Sequence, residues 1–435
     1  MKNILKNIQW SISAAAVVFV SSCAPDIESP SSSAVQANFS KYIAIGNSLT
    51  AGFADGGLYL EGQQVAYPNL IAEQLKAVGG GEFKTPFFSQ EQHNGSGYLS
   101  LKALVDGQPV MENVTNNLAI RGLNPNGAPL YTKYTDQIHN FGVPGMRLDM
   151  AFAPGIGSVL GNPYFERLLP DNTPPETTYF GHVTSQEYTF FSFWLGNNDA
   201  LGYATNGAFT EGPTSALTQT ATFNKLYNDF INKLTEKGQK GVVATIPDVT
   251  AIPFFNTVTT ARIVAGITAS TGGAYTKVYI QTEAGVREAT EQDLFGLTFP
   301  TDTLGKVSNG IPGYGLIPQN PLHDKFVLDK DEIVEVSTRV NEFNKIIKSA
   351  AESKGLALAD AHAYLNKVKN PGILYNGIGV NASFITGNAF SLDGVHLTPM
   401  GNALIANLFI EAINAKYGSK LSKVDAAQYR GVKFP

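Results

Sequence analysis

Ile43-Ala44-Ile45-Gly46-Asn47-Ser48-Leu49-Thr50-Ala51-Gly52 is the stretch around which the chain is organised. Its β-branched residues predict a short strand that runs directly into glycine, a polar residue and serine. The glycines allow a sharp turn, and the residues after Ser48 favour a helix whose N-terminal N–H groups point back at the serine oxygen. The stretch therefore predicts a strand that ends in an exposed candidate nucleophile, beside donors that stabilise a developing oxyanion.

The composition is that of a large folded protein with many turns. The chain has 435 residues, and its hydrophobic fraction of 43% is ample for a sizeable core. Its 43 glycines and 23 prolines predict long, structured loops, so the length fits either two or three domains or one α/β domain enlarged by insertions. A formal net charge of −5, with no lysine or arginine run beyond the extreme N-terminus, argues against nucleic acid as a partner.

The N-terminus has the layout of a secretion signal. Lys2 and Lys6 precede a mostly apolar run, and small residues precede Cys23, the single cysteine of the chain. The segment resembles a bacterial lipoprotein signal, which implies a signal peptide over residues 1–22, lipidation of Cys23, and anchoring in the cell envelope at the outer membrane or cell surface. The alternatives are a plain signal with a chance cysteine, and a spanning helix, for which the apolar run is too short.

The remainder of the chain is predicted to be a tether followed by one α/β domain. Residues 23–38 are rich in serine, proline and alanine, which predicts a flexible tether before a domain over residues 39–435. Apolar strands then alternate with helices, which predicts a three-layer α/β/α sandwich with a mostly parallel central sheet. Strands are predicted at 42–45, 137–141, 188–195, 242–246 and 356–359, and helices at 67–78, 222–237, 332–354 and 399–417.

Two long segments interrupt this alternation. Residues 79–136 and 253–329 are rich in turn-forming residues and have no sustained period, so we interpret both as large insertions. The second follows the C-terminal end of a predicted strand, where the catalytic groups of a parallel sheet gather, so we expect it to cover the cleft. Aromatic residues in or beside the insertions fit either a substrate pocket or the insertions' own cores; they are Phe87, Phe88, Tyr98, Phe254 and Phe255.

Four motifs follow predicted strands or precede a helix. They are Gly46-Asn47-Ser48-Leu49, Gly142-Val143-Pro144-Gly145, Gly196-Asn197-Asn198-Asp199 and Asp393-Gly394-Val395-His396. In this order they resemble the sequence blocks of the GDSL, or SGNH, family of serine hydrolases, whose fold is flavodoxin-like. The resemblance extends from about Phe39 to Tyr417 and leaves out the two insertions. Asn47 departs from the family, which usually has Asp there; the amide keeps an oxygen acceptor but loses a charge.

The resemblance implies an oxyanion hole made by the N–H of Ser48, the backbone N–H of Gly145 and the side-chain amide of Asn198. Only glycine lets the backbone approach a substrate so closely. A neutral amide polarises a carbonyl without taking a proton from the general base. Taken alone, Gly145 also fits an ordinary Pro-Gly turn, and Asn198 also fits a cap between strand and helix.

The C-terminal motif supplies the two remaining catalytic candidates. Three-residue spacing on a tight loop lets the Asp393 carboxylate reach the imidazole Nδ1–H of His396, which leaves Nε2 free to take the Ser48 proton. Taken alone, the motif also fits a turn before the helix that follows it. Among the other five histidines, only His362, at a predicted strand end, is a rival base.

The implied activity is hydrolysis of carboxylic esters through an acyl-enzyme on Ser48, with no metal and no cofactor. The expected substrate is a small-molecule, lipid or acylated-carbohydrate ester. Two alternatives remain open at this point. The same triad serves a phospholipase or an acyl or acetyl transferase, since the residues do not say whether water or a hydroxyl takes the acyl group. From another class, the chain fits a surface-binding lipoprotein whose catalytic site has decayed.

Overall fold

The computed structural model describes residues 36–105 and 108–435, and its centre is a parallel β-sheet. Its five strands are β1 (Tyr42–Gly46), β2 (Asn140–Gly142), β3 (Phe190–Trp194), β4 (Lys240–Ala244) and β5 (Ala357–Ala359). Each neighbouring pair in this sheet is parallel. Every one of these strands overlaps a strand that the sequence predicts, and the α/β fold class is confirmed.

The spatial order of the strands is β5-β4-β3-β1-β2, so the order along the chain reverses between β1 and β3. In open α/β sheets, ligands bind in the crevice outside the strand ends at such a reversal. Gly46 of β1 pairs with Gly142 of β2 and with Trp194 of β3, so the three strands end at the same level. The turns that carry Ser48 and Asn198 therefore leave the sheet side by side.

Seven helices of the described residues have two turns or more. They are α1 (Tyr67–Leu75), α2 (Asn198–Thr205), α3 (Thr220–Leu234), α4 (Thr260–Ser270), α5 (Lys330–Lys354), α6 (Ala361–Lys369) and α7 (Pro399–Tyr417). Shorter helices span Ser48–Ala51, Leu60–Gln64, Pro163–Glu166, Tyr179–Thr184 and Pro253–Asn256.

Consecutive aromatic side chains of β3 show how the two faces of the sheet are covered. Trp194 packs against Tyr67 of α1 and Phe409 of α7. Phe193, which points to the other face because side chains alternate along a strand, packs against Tyr227 of α3. Helix α5 packs on α3, so α1 and α7 cover one face while α3 and α5 cover the other.

The segments interpreted as insertions contain short antiparallel hairpins. In the first, Tyr98–Val105 pairs with Gln108–Val114, and Ile120–Leu123 pairs with Pro129–Tyr131. In the second, Tyr279–Thr282 pairs with Gly285–Glu288, and Leu294–Phe295 pairs with Val327–Leu328. A further hairpin, Ile373–Tyr375 with Ile378–Val380, lies outside both. The second segment also has a hydrophobic cluster of its own, built around Ile263, Ile280, Phe295 and Val327.

The predicted signal peptide and Cys23 lie outside the described residues, as does most of the predicted tether. Within residues 36–105 and 108–435, no helix combines the length and the apolar character needed to cross a bilayer.

Truncation of Phe193 tests the role of the central strand. The side chain is fully buried between the sheet and α3, so Phe193→Ala should lower the free energy of unfolding by about 3–5 kcal/mol. Leu374→Ala is the matched control, because Leu374 is 76% exposed and its loss should cost less than about 0.5 kcal/mol. Urea unfolding of both variants measures the difference, and equal costs would contradict the packing described here.

Candidate active site

Ser48 lies on a sharp turn at the end of β1. The strand ends at Gly46, Asn47 caps the one-turn helix Ser48–Ala51, and the Asn47 side-chain oxygen accepts a 3.2 Å hydrogen bond from the Leu49 N–H. Glycine is required at position 46, since a Cβ there would lie 2.6 Å from the Trp194 carbonyl oxygen. Contrary to the prediction of an exposed serine, Ser48 is only 6% exposed and is reached from a cavity.

The structure brings Ser48, His396 and Asp393 into one hydrogen-bonded chain. The Ser48 Oγ lies 2.9 Å from His396 Nε2, and His396 Nδ1 lies 2.8 Å from a carboxylate oxygen of Asp393. Phe53 packs over the imidazole ring, with 4.7 Å between the ring centroids. With the ring proton on Nδ1, the imidazole donates to Asp393 and can accept the proton of the Ser48 hydroxyl.

The Asp393 carboxylate is held by four further donors besides the imidazole. One oxygen accepts from the backbone N–H groups of Val395 and His396 and from the Ser391 hydroxyl, and the other accepts from the Gly56 N–H. Burial by itself would raise the pKa of Asp393, but the imidazole and these hydrogen bonds outweigh it and hold the pKa well below the usual range. Asp393 is therefore an anion that orients the imidazole.

Asp55 supports the same loop, although no motif in the sequence predicts this role. One of its carboxylate oxygens accepts from the Leu392 N–H at 2.9 Å, the other accepts from the Tyr59 hydroxyl at 2.7 Å, and its own N–H donates to the Ser391 hydroxyl. Asp55 has a φ of +53°, in the left-handed region that Asp tolerates better than most residues. The only local signal was the turn sequence Asp55-Gly56-Gly57, which says nothing about a distant partner.

Gly145 and Asn198 lie on the turns that follow β2 and β3. Gly145 has a φ of +76°, which favours glycine. Asn198 begins α2, and its side-chain amide donates a 3.0 Å hydrogen bond to the Met146 carbonyl, so it ties the two turns together. The amide carries a second hydrogen that this bond does not use. Gly145, Asn198 and His396 line one cavity.

A buried Arg147, which no motif in the sequence indicates, holds these turns in place. Its guanidinium binds both oxygens of Asp149 and donates to the carbonyls of Asn198, Thr214 and Ala216. Asp199, next to Asn198, accepts from the backbone N–H of Leu148 and the hydroxyl of Thr218. Burial, with repulsion from Asp149, raises the pKa of Asp199 to about 7. This network fixes the Asn198 turn against the Gly145 turn.

Two cavities adjoin the Ser48–His396 pair. The larger, of about 860 Å³, is walled by both insertion segments as well as by the scaffold. Leu99, Pro109 and Met111 come from the first segment, and Phe254, Leu297 and Thr298 come from the second. The smaller, of about 50 Å³, lies between the Ser48 turn, the start of α2 and the loop after β4. Of the five aromatic residues that the sequence offered as pocket candidates, Phe254 alone lines either cavity.

His362, the rival base, makes its hydrogen bonds away from Ser48. His362 lies beside the end of β4, where its Nδ1 is 3.1 Å from the Ile246 carbonyl oxygen, and it lines neither cavity. No group of three or more His, Cys, Asp or Glu residues in the described part of the chain is arranged to hold a metal ion.

The depressed pKa of Asp393 predicts how the stability of the protein depends on pH. A carboxylate whose folded pKa lies below its unfolded value of about 4 stabilises the fold above that pH, and this contribution is lost as the pH falls through the folded pKa. Asp393→Asn should therefore lower the free energy of unfolding at pH 7 by about 1–3 kcal/mol, and the deficit should shrink below about pH 4. Urea unfolding at pH 7, 5 and 3 measures it. The exposed Asp302→Asn is the control, and a deficit that is equal at all three pH values would contradict the argument.

Comparison with known proteins assigns the chain to a family. The model of the family described as "GDSL-like Lipase/Acylhydrolase" matches residues 42–409. A search of curated protein sequences gave no significant match.

Solved structures with a similar fold include a lipase/acylhydrolase from Enterococcus faecalis, at 12% identity and a TM-score of 0.33, over 88% of this chain and 99% of that one. Another is a mutant acetyl-xylooligosaccharide esterase from Geobacillus Stearmophilus, at 10% identity and a TM-score of 0.36, over 87% and 95%. A third is an extracellular lipase from Streptomyces rimosus, at 12% identity and a TM-score of 0.33, over 86% and 98%.

The family match begins at the first residue of β1 and ends inside α7, so it includes the whole sheet and all four motifs. Because it spans well over half of the sequence, the chain belongs to the GDSL-like lipase/acylhydrolase family of ester hydrolases.

Proposed function

We propose that this protein hydrolyses carboxylic esters by two-step acyl transfer, with Ser48 as nucleophile, His396 as general base and acid, and Asp393 as the residue that orients the imidazole. The observation that carries the proposal is the hydrogen-bonded chain from Ser48 Oγ to the Asp393 carboxylate, at the wall of a cavity. An imidazole whose Nδ1–H is fixed on an anion presents Nε2 to the hydroxyl and is stabilised when it becomes charged.

In the first step, Ser48 Oγ bonds to the ester carbonyl carbon while its proton passes to His396 Nε2. The tetrahedral intermediate then loses the alcohol, whose oxygen takes that proton as its bond to carbon breaks. In the second step, water bonds to the acyl carbon and gives a proton to His396. The bond to Ser48 breaks, the acid leaves, and the serine hydroxyl recovers its proton.

The negative charge of each tetrahedral intermediate requires donors that are already in place. In this proposal they are the N–H groups of Ser48 and Gly145 and the free amide hydrogen of Asn198. Two features support the assignment: the amide of Asn198 is anchored on the Met146 carbonyl, and the buried Arg147 holds both turns. Donors fixed before the reaction need no reorganisation when the charge develops, which is the main source of their effect.

The protein is further proposed to act at the bacterial cell envelope, anchored by lipid on Cys23. The support is the N-terminal sequence alone: Lys2 and Lys6, the apolar run, and small residues directly before the cysteine. The serine- and proline-rich residues 24–38 would then separate the lipid from the catalytic domain. Its partners in this setting are the membrane and an ester substrate.

Removal of either proton-transfer group tests the triad. Ser48→Ala and His396→Ala should each lower kcat/KM for p-nitrophenyl acetate by about a thousandfold or more, because the two residues act as one unit. Ser353→Ala and His93→Ala are matched controls, since both residues are exposed, and they should retain full activity. Circular dichroism checks that each variant is folded.

A fluorophosphonate probe separates an active hydrolase from a decayed binding protein. The wild-type chain should be labelled and Ser48→Ala should not, because the probe reacts only with an activated serine. Turnover or labelling of Ser48→Ala at the wild-type level would contradict the assignment, and an unlabelled wild type would favour the decayed site.

Substitution of Cys23 tests the anchor. The wild-type chain, expressed in a bacterium with its N-terminus intact, should partition into the detergent phase, and Cys23→Ser should remain in the aqueous phase because a thioether to lipid cannot form. Ser32→Ala, in the same tether, is the control. Mass spectrometry that finds an unmodified thiol at residue 23, or cleavage well beyond it, would contradict the anchor.

A further inference from the structure

The two cavities beside Ser48 differ greatly in size but share four lining residues. Both are lined by Asn198, Leu201, Val395 and His396, so the reacting ester bond lies where they join. One has a volume of about 860 Å³ and the other of about 50 Å³. An ester has two arms, one on each side of its reacting bond. A site with such unequal cavities accepts one long arm and one short arm.

The small cavity fits a short apolar group. Its walls include Leu49, Val249 and Ile252, and the latter two are themselves buried. Since one water-sized group needs about 10–15 Å³ of such volume, the cavity holds roughly three to five of them. A chain of about two to four carbons fills it, and a longer chain would have to displace buried side chains, which is costly in a closely packed interior.

The large cavity fits a bulky apolar group. Phe53, Leu99, Met111 and Phe384 contribute to its walls. The donors of its buried Arg147 are already bound to Asp149, to Thr218 and to three backbone carbonyls. A neighbouring cavity of about 910 Å³ shares Pro109, Leu297 and Phe384 with it, so the space beside the site extends outward past these three apolar side chains.

The assignment of the two arms follows from which cavity Ser48 itself lines. Ser48 and the adjoining Leu49 line the small cavity, whereas the large cavity is lined by Asp393 and His396 but not by Ser48. The acyl group stays bonded to Ser48 after the first step, while the alcohol takes a proton from His396 and leaves. We infer that the small cavity holds the acyl arm and the large cavity the alcohol arm, so the substrates are short-chain acyl esters, acetyl to butyryl, of bulky apolar alcohols.

This inference rests on the proposed function, and a series of esters with one leaving group tests it. For 4-methylumbelliferyl acetate, butyrate and octanoate, kcat/KM should be at least about tenfold higher for the two short esters than for octanoate. Among acetate esters, 2-(1-naphthyl)ethyl acetate should react at least about tenfold faster than ethyl acetate.

Enlarging the small cavity should relax the acyl preference. Ile252→Ala should raise the octanoate-to-acetate ratio of kcat/KM by about tenfold, because the longer chain gains room. Ile347→Ala is the matched control: Ile347 is fully buried in α5 and lines neither cavity, so this variant should lose stability without a change in the ratio. If Ile252→Ala fails to fold, the smaller change Val249→Ala tests the same wall.

The outcomes separate this inference from the proposed function. Octanoate turnover that needs Ser48 and equals or exceeds acetate turnover would overturn the inference, because the acyl arm would then occupy the large cavity. A ratio that Ile252→Ala and Val249→Ala leave unchanged would overturn it as well. Turnover that survives Ser48→Ala would instead contradict the proposed function.

Discussion

The site depends on hydrogen bonds between two segments that lie far apart in the sequence. Asp55 accepts from the Leu392 N–H, and the Gly56 N–H donates to Asp393, each across 337 positions. These bonds hold the loop that carries His396 against the segment that follows the Ser48 turn. The sheet positions Ser48, and helix α7 positions the end of the loop, but the bonds to Asp55 and Gly56 join the two.

Two carboxyl groups in this region, those of Asp393 and Asp55, have opposite electrostatic environments. Asp393 receives hydrogen bonds from the imidazole and three backbone N–H groups, and its pKa is held well below the usual range. Burial raises the pKa of Asp55, and the neighbouring charge of Asp393 adds to the rise. Such divergence is the pattern by which chemically identical groups take different roles in one site. Here Asp393 is the anion that faces the imidazole, and Asp55 holds the loop that carries both Asp393 and His396.

The features that sequence could predict are those with a local cause. Apolar runs predicted four of the five strands, and the three-residue spacing of Asp393 and His396 predicted the contact between their side chains. Asp55 and Arg147 left no such signal, because their partners are distant in the chain and are brought near only by the fold. The burial of Ser48 was not predicted for a related reason. The walls of the site come from several segments that are distant in the sequence, and no periodic pattern in the sequence indicates how these segments lie over the sheet.

The sequence separation of the two reacting side chains also has a consequence during synthesis. Ser48 precedes His396 by 348 residues, and at about 5–20 residues per second the ribosome needs roughly 20–70 s to make that length. The first strand and its serine therefore exist long before His396, the base of the proposed mechanism. A nascent chain cannot form the Ser48–His396 hydrogen bond until residue 396 has been made. Because Asp393 and His396 follow the last strand of the sheet, a chain cut before residue 393 keeps all five strands but lacks two of the three residues on which the proposed mechanism depends.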